Sequence, residues 1–263
     1  MPESPPDAHH ENTHHENTRH DAAGGPPGAS APGTPAPGDL TLPEALLMLA
    51  LGDEEGRIHV EKTSALPFGL TAGVLLTLAA HDRLRHAGDL WHVIDDTPTG
   101  DPALDPALQA MAADDEPRGT MHWLRALTEA GEGEDLKHRL LHHLTGEGIL
   151  KEEEHQFLGI YTYHRYPTED PDPERRVRKR VREVVLEGKE PGDRILAIIA
   201  LMDACNLTDE VFTAKERDEH AARLDDLTER ERVARALATL DEETTAAVLT
   251  ATSAATTAAT STL

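Results

Sequence analysis

The sequence predicts a mainly α-helical fold: one compact multi-helix domain with one or two β-hairpins, preceded by a disordered tail. Three observations carry that expectation. Two stretches, 42–51 and 66–80, and a third at Leu196–Leu207, are too apolar all round for surface helices. Several further segments place apolar residues at helical spacing with charge between them. No alternation of strand and helix suited to a parallel sheet is visible.

In chain order, Met1 to Gly38 is rich in Pro, Gly, Ala, Asn and His and almost lacks large apolar side chains. It cannot offset the entropy of ordering and is expected to be disordered. HHENT occurs there twice in tandem, and five histidines (His9, His10, His14, His15, His20) fall within twelve residues. Nothing in that repeat fixes ligand geometry, so a low-complexity segment explains it better than a metal site. The core begins at Thr41, an N-cap candidate with Pro43 in the first turn and Glu44 three residues on. Gly52 ends this helix and Asp53–Gly56 reads as a turn. Leu66, Leu70, Val74, Leu75 and Leu78 mark a second helix, whose Gly69 and Gly73 leave room for a close neighbour.

Arg83–Ile94 reads as a hairpin around Ala87-Gly88, with Leu84, Leu90, His92 and Ile94 on its partly buried face. Short helices follow at Pro102–Ala113 and Thr120–Ala130, the latter with a core Trp123. Leu136–Leu144 is helical and holds His138 and His142 four apart. A metal site needs a third ligand, and no HExxH glutamate is present, so these read as solvated histidines. Leu150–Pro167 is a second hairpin bending near Leu158-Gly159. A helix opened by Pro171 and Pro173 then buries Val177, Val181, Val184 and Val185. Val211–Leu240 suggests two charged amphipathic helices, and Glu242 to Thr256 a last Ala/Thr-rich one. The domain is therefore placed at 39–258, between the 1–38 tail and a frayed 259–263.

The 263 residues carry 49 acidic and 25 basic side chains, a formal charge of −24. A field of that sign excludes nucleic acid as a partner and repels anionic membranes, unless basic residues cluster locally. Cys205 is the lone cysteine, within an apolar run, and reads as a buried inert thiol. No secretory signal and no apolar run of spanning length is present, which points to a cytoplasmic protein whose membrane contact is peripheral. No nucleophile elbow, phosphate-cradling loop, zinc spacing or paired catalytic carboxylates emerges, so no catalytic residue, cofactor or metal is assigned and a non-enzymatic role is expected.

One cluster breaks the acidic pattern. Arg175, Arg176, Arg178, Lys179, Arg180 and Arg182 place six cations in eight residues. They suit contact with an anionic lipid surface. Equally, Glu174, Glu183 and Glu187 lie at spacings that permit pairing along a solvated helix.

DLTLPEALLMLAL at 39–51, a DEEGR turn, the GL-x-x-G-x-LL-x-LA helix and Asp82-Arg83-Leu84 resemble the Golgi phosphoprotein 3 family, which includes bacterial members. The resemblance continues through Thr99–Leu108, GEGIL-x-x-E at Gly146–Glu153 and RILAIIALMDA at Arg194–Ala204. It implies a helical fold, binding to phosphatidylinositol 4-phosphate on a membrane, and an adaptor role in retaining glycosyltransferases. The positions matching the family's headgroup pocket are Lys62, where the family has tryptophan, and Thr71, Glu134 and Lys137, where it has arginines. Only Lys137 keeps the charge sign, and Arg139 lies close to it in the chain. Phe157 and Leu158 stand where the family carries an apolar hairpin loop used for membrane insertion and self-association. The basic N-terminal arm of the family has no counterpart here. Two readings follow: a peripheral membrane or adaptor protein, and a cytosolic helical scaffold that has lost lipid binding. Neither client protein nor lipid is legible.

Overall fold

The computed structural model describes residues 39–51, 65–88, 90–129, 135–157, 161–229, 248–254 and 257. The tail at 1–38, the turn at 53–56, and Lys62, Glu134 and Leu158 lie outside the described residues. Within them the chain is mainly helical, with two small antiparallel sheets.

Helix α1 (Leu42–Ala50) starts as its sequence dictates. The Glu44 carboxylate turns back to accept hydrogen bonds from the Thr41 N–H (2.7 Å) and hydroxyl (2.8 Å). Every residue of α1 is buried, including Glu44. Helix α2 (Leu66–Ala80) packs closely against it and is likewise apolar around its circumference. Gly69 is the point of closest approach. A Cβ there would stand 2.2 Å from Cys205 Sγ and 2.9 Å from a methyl of Leu46. Cys205 ends the third central helix (Asp193–Ala204), which buries Ile195 through Met202. Three apolar helices therefore meet at one glycine. A Cβ on Gly73 would come within 3.1 Å of the Pro43 backbone, so the two helices touch there almost main chain to main chain.

After α2 comes a three-stranded sheet of β1 (Leu84–Ala87), β2 (Leu90–Val93) and β3 (Arg118–Gly119), in that order. The first hairpin is present, but its expected face is corrected. Leu84 is buried, whereas Leu90 and Ile94 are exposed and the buried residue of β2 is Trp91. The two-residue connection, with Gly88 at φ +58°, pairs Ala87 with Leu90 and His86 with Trp91. Directly opposed residues share a face, so even-numbered residues on β1 lie beside odd-numbered ones on β2. Trp91 Nε1 donates to the Thr120 hydroxyl (3.0 Å), and His86 sits edge-on to the Trp91 ring, 5.2 Å between centroids.

Helix α3 (Asp105–Ala112) begins later than the sequence suggests, because Asp105 anchors the preceding turn. Its carboxylate accepts from the Thr99 N–H and hydroxyl and from the Gly100 N–H. Helices α4 (Thr120–Glu129) and α5 (Leu136–Gly146) follow, and Trp123 is buried in the core as expected. The second hairpin is β4 (Glu153–Phe157) with β5 (Tyr161–Arg165). The chain then enters α6 (Asp172–Leu186), whose four valines are buried, and α7, the Asp193–Ala204 helix. After α8 (Thr208–Val211), the described part of Val211–Leu240 holds two charged helices, α9 (Ala214–Glu219) and α10 (Ala221–Thr228); 230–240 lies outside the described residues. The break falls where Thr213 and Glu216 cap a new helix, a start signal that the charge pattern obscured. Residues 248–254 are helical and bury Val248, Leu249 and Ala251 against the same core.

The contact at Gly69 makes a specific prediction. Gly69→Ala should destabilise the fold by about 1–3 kcal/mol through overpacking, even though alanine gains about 1 kcal/mol of helix propensity. Cys205→Ala removes the clashing sulfur, so the double variant should recover part of the loss. Thermal unfolding of the four proteins in a double-mutant cycle measures the coupling. Additive losses would show that sulfur and glycine do not meet.

Candidate functional site

Helix α6 is where charge departs from the protein's acidic background. Asp172 and Glu174 occupy its first turn, where carboxylates complement the helix dipole. The buried valine stripe leaves its other faces to six cations, and the structure divides these into two groups.

Arg178, Arg180 and Arg182 are engaged within the fold. Arg178 donates to Glu174 (2.7 and 3.0 Å) and to the Glu210 carbonyl (2.5 Å). Arg182 donates to the Val211 carbonyl (2.7 Å), forms a bidentate pair with Glu216 (2.5 and 3.3 Å), and lies 5.9 Å from the Phe212 ring centroid. Arg180 reaches Glu183 (3.2 Å) and the Glu190 carbonyl (3.1 Å). The carbonyls of Glu210 and Val211 close α8 and have no helical partner further on. Guanidinium groups from α6 supply their donors. Glu216 is held twice over, because it also accepts from the Thr213 N–H and hydroxyl. The hydrogen bond from Arg182, then that from the Thr213 backbone, bring its carboxyl down to about 2.

Arg175, Arg176 and Lys179 face outward, their side chains 72%, 54% and 77% exposed. Each forms a long ion pair, Arg175 with Asp172 (3.8 Å), Arg176 with Asp39 (3.9 Å) and Lys179 with Glu183 (3.8 Å). Arg175, Arg178, Lys179 and Arg182 follow helical spacing and, with Glu183 and Glu187, line an open groove of about 430 Å³. The ion pairing expected along the helix is thus present for Arg178 with Glu174 and for Arg180 with Glu183.

The positions matching the headgroup pocket do not come together as a cationic site among the described residues. Thr71 is fully buried in α2, and its hydroxyl lies 3.1 Å from that of Thr128 on α4. Lys137 is half-buried on α5 beside Asp135, and Arg139, two residues on, projects from a different face of the helix. Lys62 and Glu134 lie outside the described residues. His138 belongs to the start of α5. Its N–H donates to Asp135 (2.8 Å) and its ring nitrogen Nδ1 lies 2.9 Å from the same oxygen. Among the described residues no three His, Cys, Asp or Glu side chains converge as metal ligands. The Cys205 thiol is pushed up to about 12, by burial first and by Asp203 second. Nothing about it is poised for nucleophilic work.

The β4–β5 hairpin pairs Phe157 with Tyr161 in register, and the bend at 158–160 and the Phe157 side chain lie outside the described residues. The stem is rich in ionic contacts: Lys151 to Glu153 (2.9 Å), His155 to Glu153 (3.3 Å) and His164 to Glu152 (2.9 Å). No helix among the described residues is long and apolar enough to cross a membrane.

These features define a helical domain with two small hairpins and an outward cationic face on α6. A family model described as Golgi phosphoprotein 3 (GPP34) matches residues 42–257, most of the chain. The protein belongs to the Golgi phosphoprotein 3 family.

Sequence reasoning missed the long-range partners of α6. Glu216 stands 34 residues from Arg182, and two of the acceptors are backbone carbonyls that no side-chain pattern reveals. The Thr213-x-x-Glu216 spacing marks only the local cap. This pairing sets an acid-lability prediction. Glu216 titrates lower in the folded than in the unfolded state, so its contribution is fully present above the ordinary glutamate value of 4.5. It is lost as pH falls from there toward about 2. Glu216→Gln should flatten the pH dependence of stability in that window, read by denaturant unfolding, while Arg182→Ala should lower stability at neutral pH. An unchanged acid slope in Glu216→Gln would remove the clamp from the account.

Proposed function

We propose that this protein is a non-enzymatic peripheral membrane protein of adaptor type, attracted to anionic lipid through the outward face of α6. One observation carries the reading: on a chain of net charge −24, Arg175, Arg176 and Lys179 stand exposed together on two adjoining turns. Family membership supports it, since eukaryotic relatives work as phosphoinositide-dependent adaptors. Each surface-proximal cation contributes roughly 1 kcal/mol against an anionic bilayer, so three amount to about 3 kcal/mol before pairing with Asp172, Asp39 and Glu183 is discounted. The altered headgroup positions favour attraction by total charge over selection of phosphatidylinositol 4-phosphate. Thr71 cannot fork a phosphate as arginine does, and its hydroxyl is turned inward. Phe157 and Leu158 at the hairpin bend supply apolar anchoring, to bilayer or to a second copy.

A second reading, a cytosolic scaffold that has lost lipid binding, is favoured by the internal engagement of Arg178, Arg180 and Arg182. Sedimentation with anionic liposomes, with and without phosphatidylinositol 4-phosphate, separates the two. Reversing Arg175, Arg176 and Lys179 to glutamate should weaken binding more than Lys62→Ala with Lys137→Ala, and binding should fall steeply with salt. Selective binding abolished by the Lys62 and Lys137 pair would reinstate the headgroup pocket. No sedimentation with any liposome would leave the scaffold reading.

The hairpin is tested separately. Phe157→Ser with Leu158→Ser should reduce liposome binding or self-association without loss of thermal stability, because apolar surface at a bend returns about 25 cal/mol per Å² only when something covers it. Unfolding of that variant would place the two side chains in the core.

A further inference from the structure

We infer that the cavity between β2, the end of α3 and the start of α4 is a binding site for a small quaternary ammonium ion, an inference independent of the membrane reading above. The cavity holds about 220 Å³. A water-sized atom takes about 30 Å³, so a ligand of about seven heavy atoms fits. The chain has two tryptophans, and both line this cavity. Trp91 and Trp123 are only 2% and 5% exposed, so they form a wall whose position the core fixes. Trp91 is pinned further by its hydrogen bond to Thr120.

The charge of the site comes from the loop that leaves α3. The last helical hydrogen bond runs from the Ala113 N–H to the Gln109 carbonyl. The carbonyls of Ala110, Met111 and Ala112 thus stand at the negative end of the helix dipole. Asp114, Asp115 and Glu116 come next, and all three line the cavity. Asp114 braces the loop, accepting from the Glu116 N–H (3.1 Å) and from Arg118 (3.0 and 3.3 Å). The hydrogen bond from Arg118 holds its carboxyl below the ordinary range. Arg118 also pairs with Glu116 (3.1 Å). Asp115 has no ion-pair or hydrogen-bond partner among the described residues. Three carboxylates against one guanidinium leave two negative charges. His92, on the wall, and His122, near Asp114, offset them only when protonated.

Charge and surface together select the ligand. A metal ion needs converging oxygen or nitrogen donors, and no three His, Cys, Asp or Glu side chains converge in that way among the described residues. Val93, Met111 and Pro117 add apolar wall beside the indoles. A quaternary ammonium carries its charge beneath methyl groups, so it can lie on indole and aliphatic surface while carboxylates balance it, and tryptophan is the ring that attracts such cations best. An anion would meet the carboxylates and the helix carbonyls at once, and is refused.

The test titrates the full-length protein with choline chloride and follows tryptophan fluorescence, with ionic strength held constant by sodium chloride. Both reporters stand at the cavity. The expected result is a saturable change with a dissociation constant on the order of 1 mM. Dimethylbutanol, of the same shape but with carbon in place of the charged nitrogen, should bind at least about tenfold more weakly. Asp115→Asn should weaken choline binding about threefold and Asp115→Arg about tenfold. Thermal unfolding should stay unchanged in both, because the Asp115 side chain is exposed. The absence of a saturable response in the wild type, or equal binding of the neutral isostere, overturns the inference. So does an Asp115→Arg variant that binds choline as the wild type does. The isostere comparison needs no substitution, so it decides the matter even where a variant unfolds.

Discussion

The fold depends on how closely α1, α2 and α7 approach one another. Their contact at Gly69 leaves no space for a single methyl group, and at Gly73 the main chain of α1 rests directly on α2. Interiors are close-packed, so such contacts do not yield gradually. Because all three helices are apolar on nearly every face, none can move to the surface without exposing a row of leucines or isoleucines. The other buried apolar side chains of the described residues pack around this triple contact. Glu44 is tolerated inside it because its charge is spent on the Thr41 cap, with His143 3.4 Å away.

Helix α6 couples that core to the surface. One face is four valines, and the opposite side is cationic. Between them, Arg178 and Arg182 hold the α8–α9 corner through backbone carbonyls and Glu216. An arginine can do this where a lysine cannot, since its planar fork meets a carbonyl and a carboxylate at once. The three cations beyond this belt are separated from the core by the length of their side chains, and removing their charge leaves the bracing intact. Bracing of the α8–α9 corner and outward charge thus fall to different residues of one helix.

Much of this was legible in the chain. Helix starts at Thr41 and Pro171–Pro173, the glycines of α2, the buried Trp123 and the valine stripe all follow from local rules, and local rules hold where the answer lies within a few residues. What escaped was longer in range or finer in phase. The face of the first hairpin turned on a two-residue connection that shifts parity between strands, so Leu90 and Ile94 came out exposed and Trp91 buried. The exact start of α9 turned on a cap hidden among charges. The division of the six α6 cations turned on acceptors brought near by folding, and no spacing along the helix records them. The headgroup positions were located by resemblance alone, and composition gave no sign that Thr71 would be sealed against Thr128.

A net charge of −24 does not by itself oppose the proposed attraction to anionic surfaces, for a physical reason. At physiological ionic strength the Debye length is roughly 8 Å, so charges farther than that from a bilayer hardly act on it. Under the proposed reading a membrane would meet Arg175, Arg176 and Lys179, while most of the carboxylates stay in solvent. Those distant carboxylates still matter, because they disfavour every other orientation of approach. An acidic body with one small cationic edge is therefore more selective in orientation than a uniformly basic protein, though weaker in total attraction.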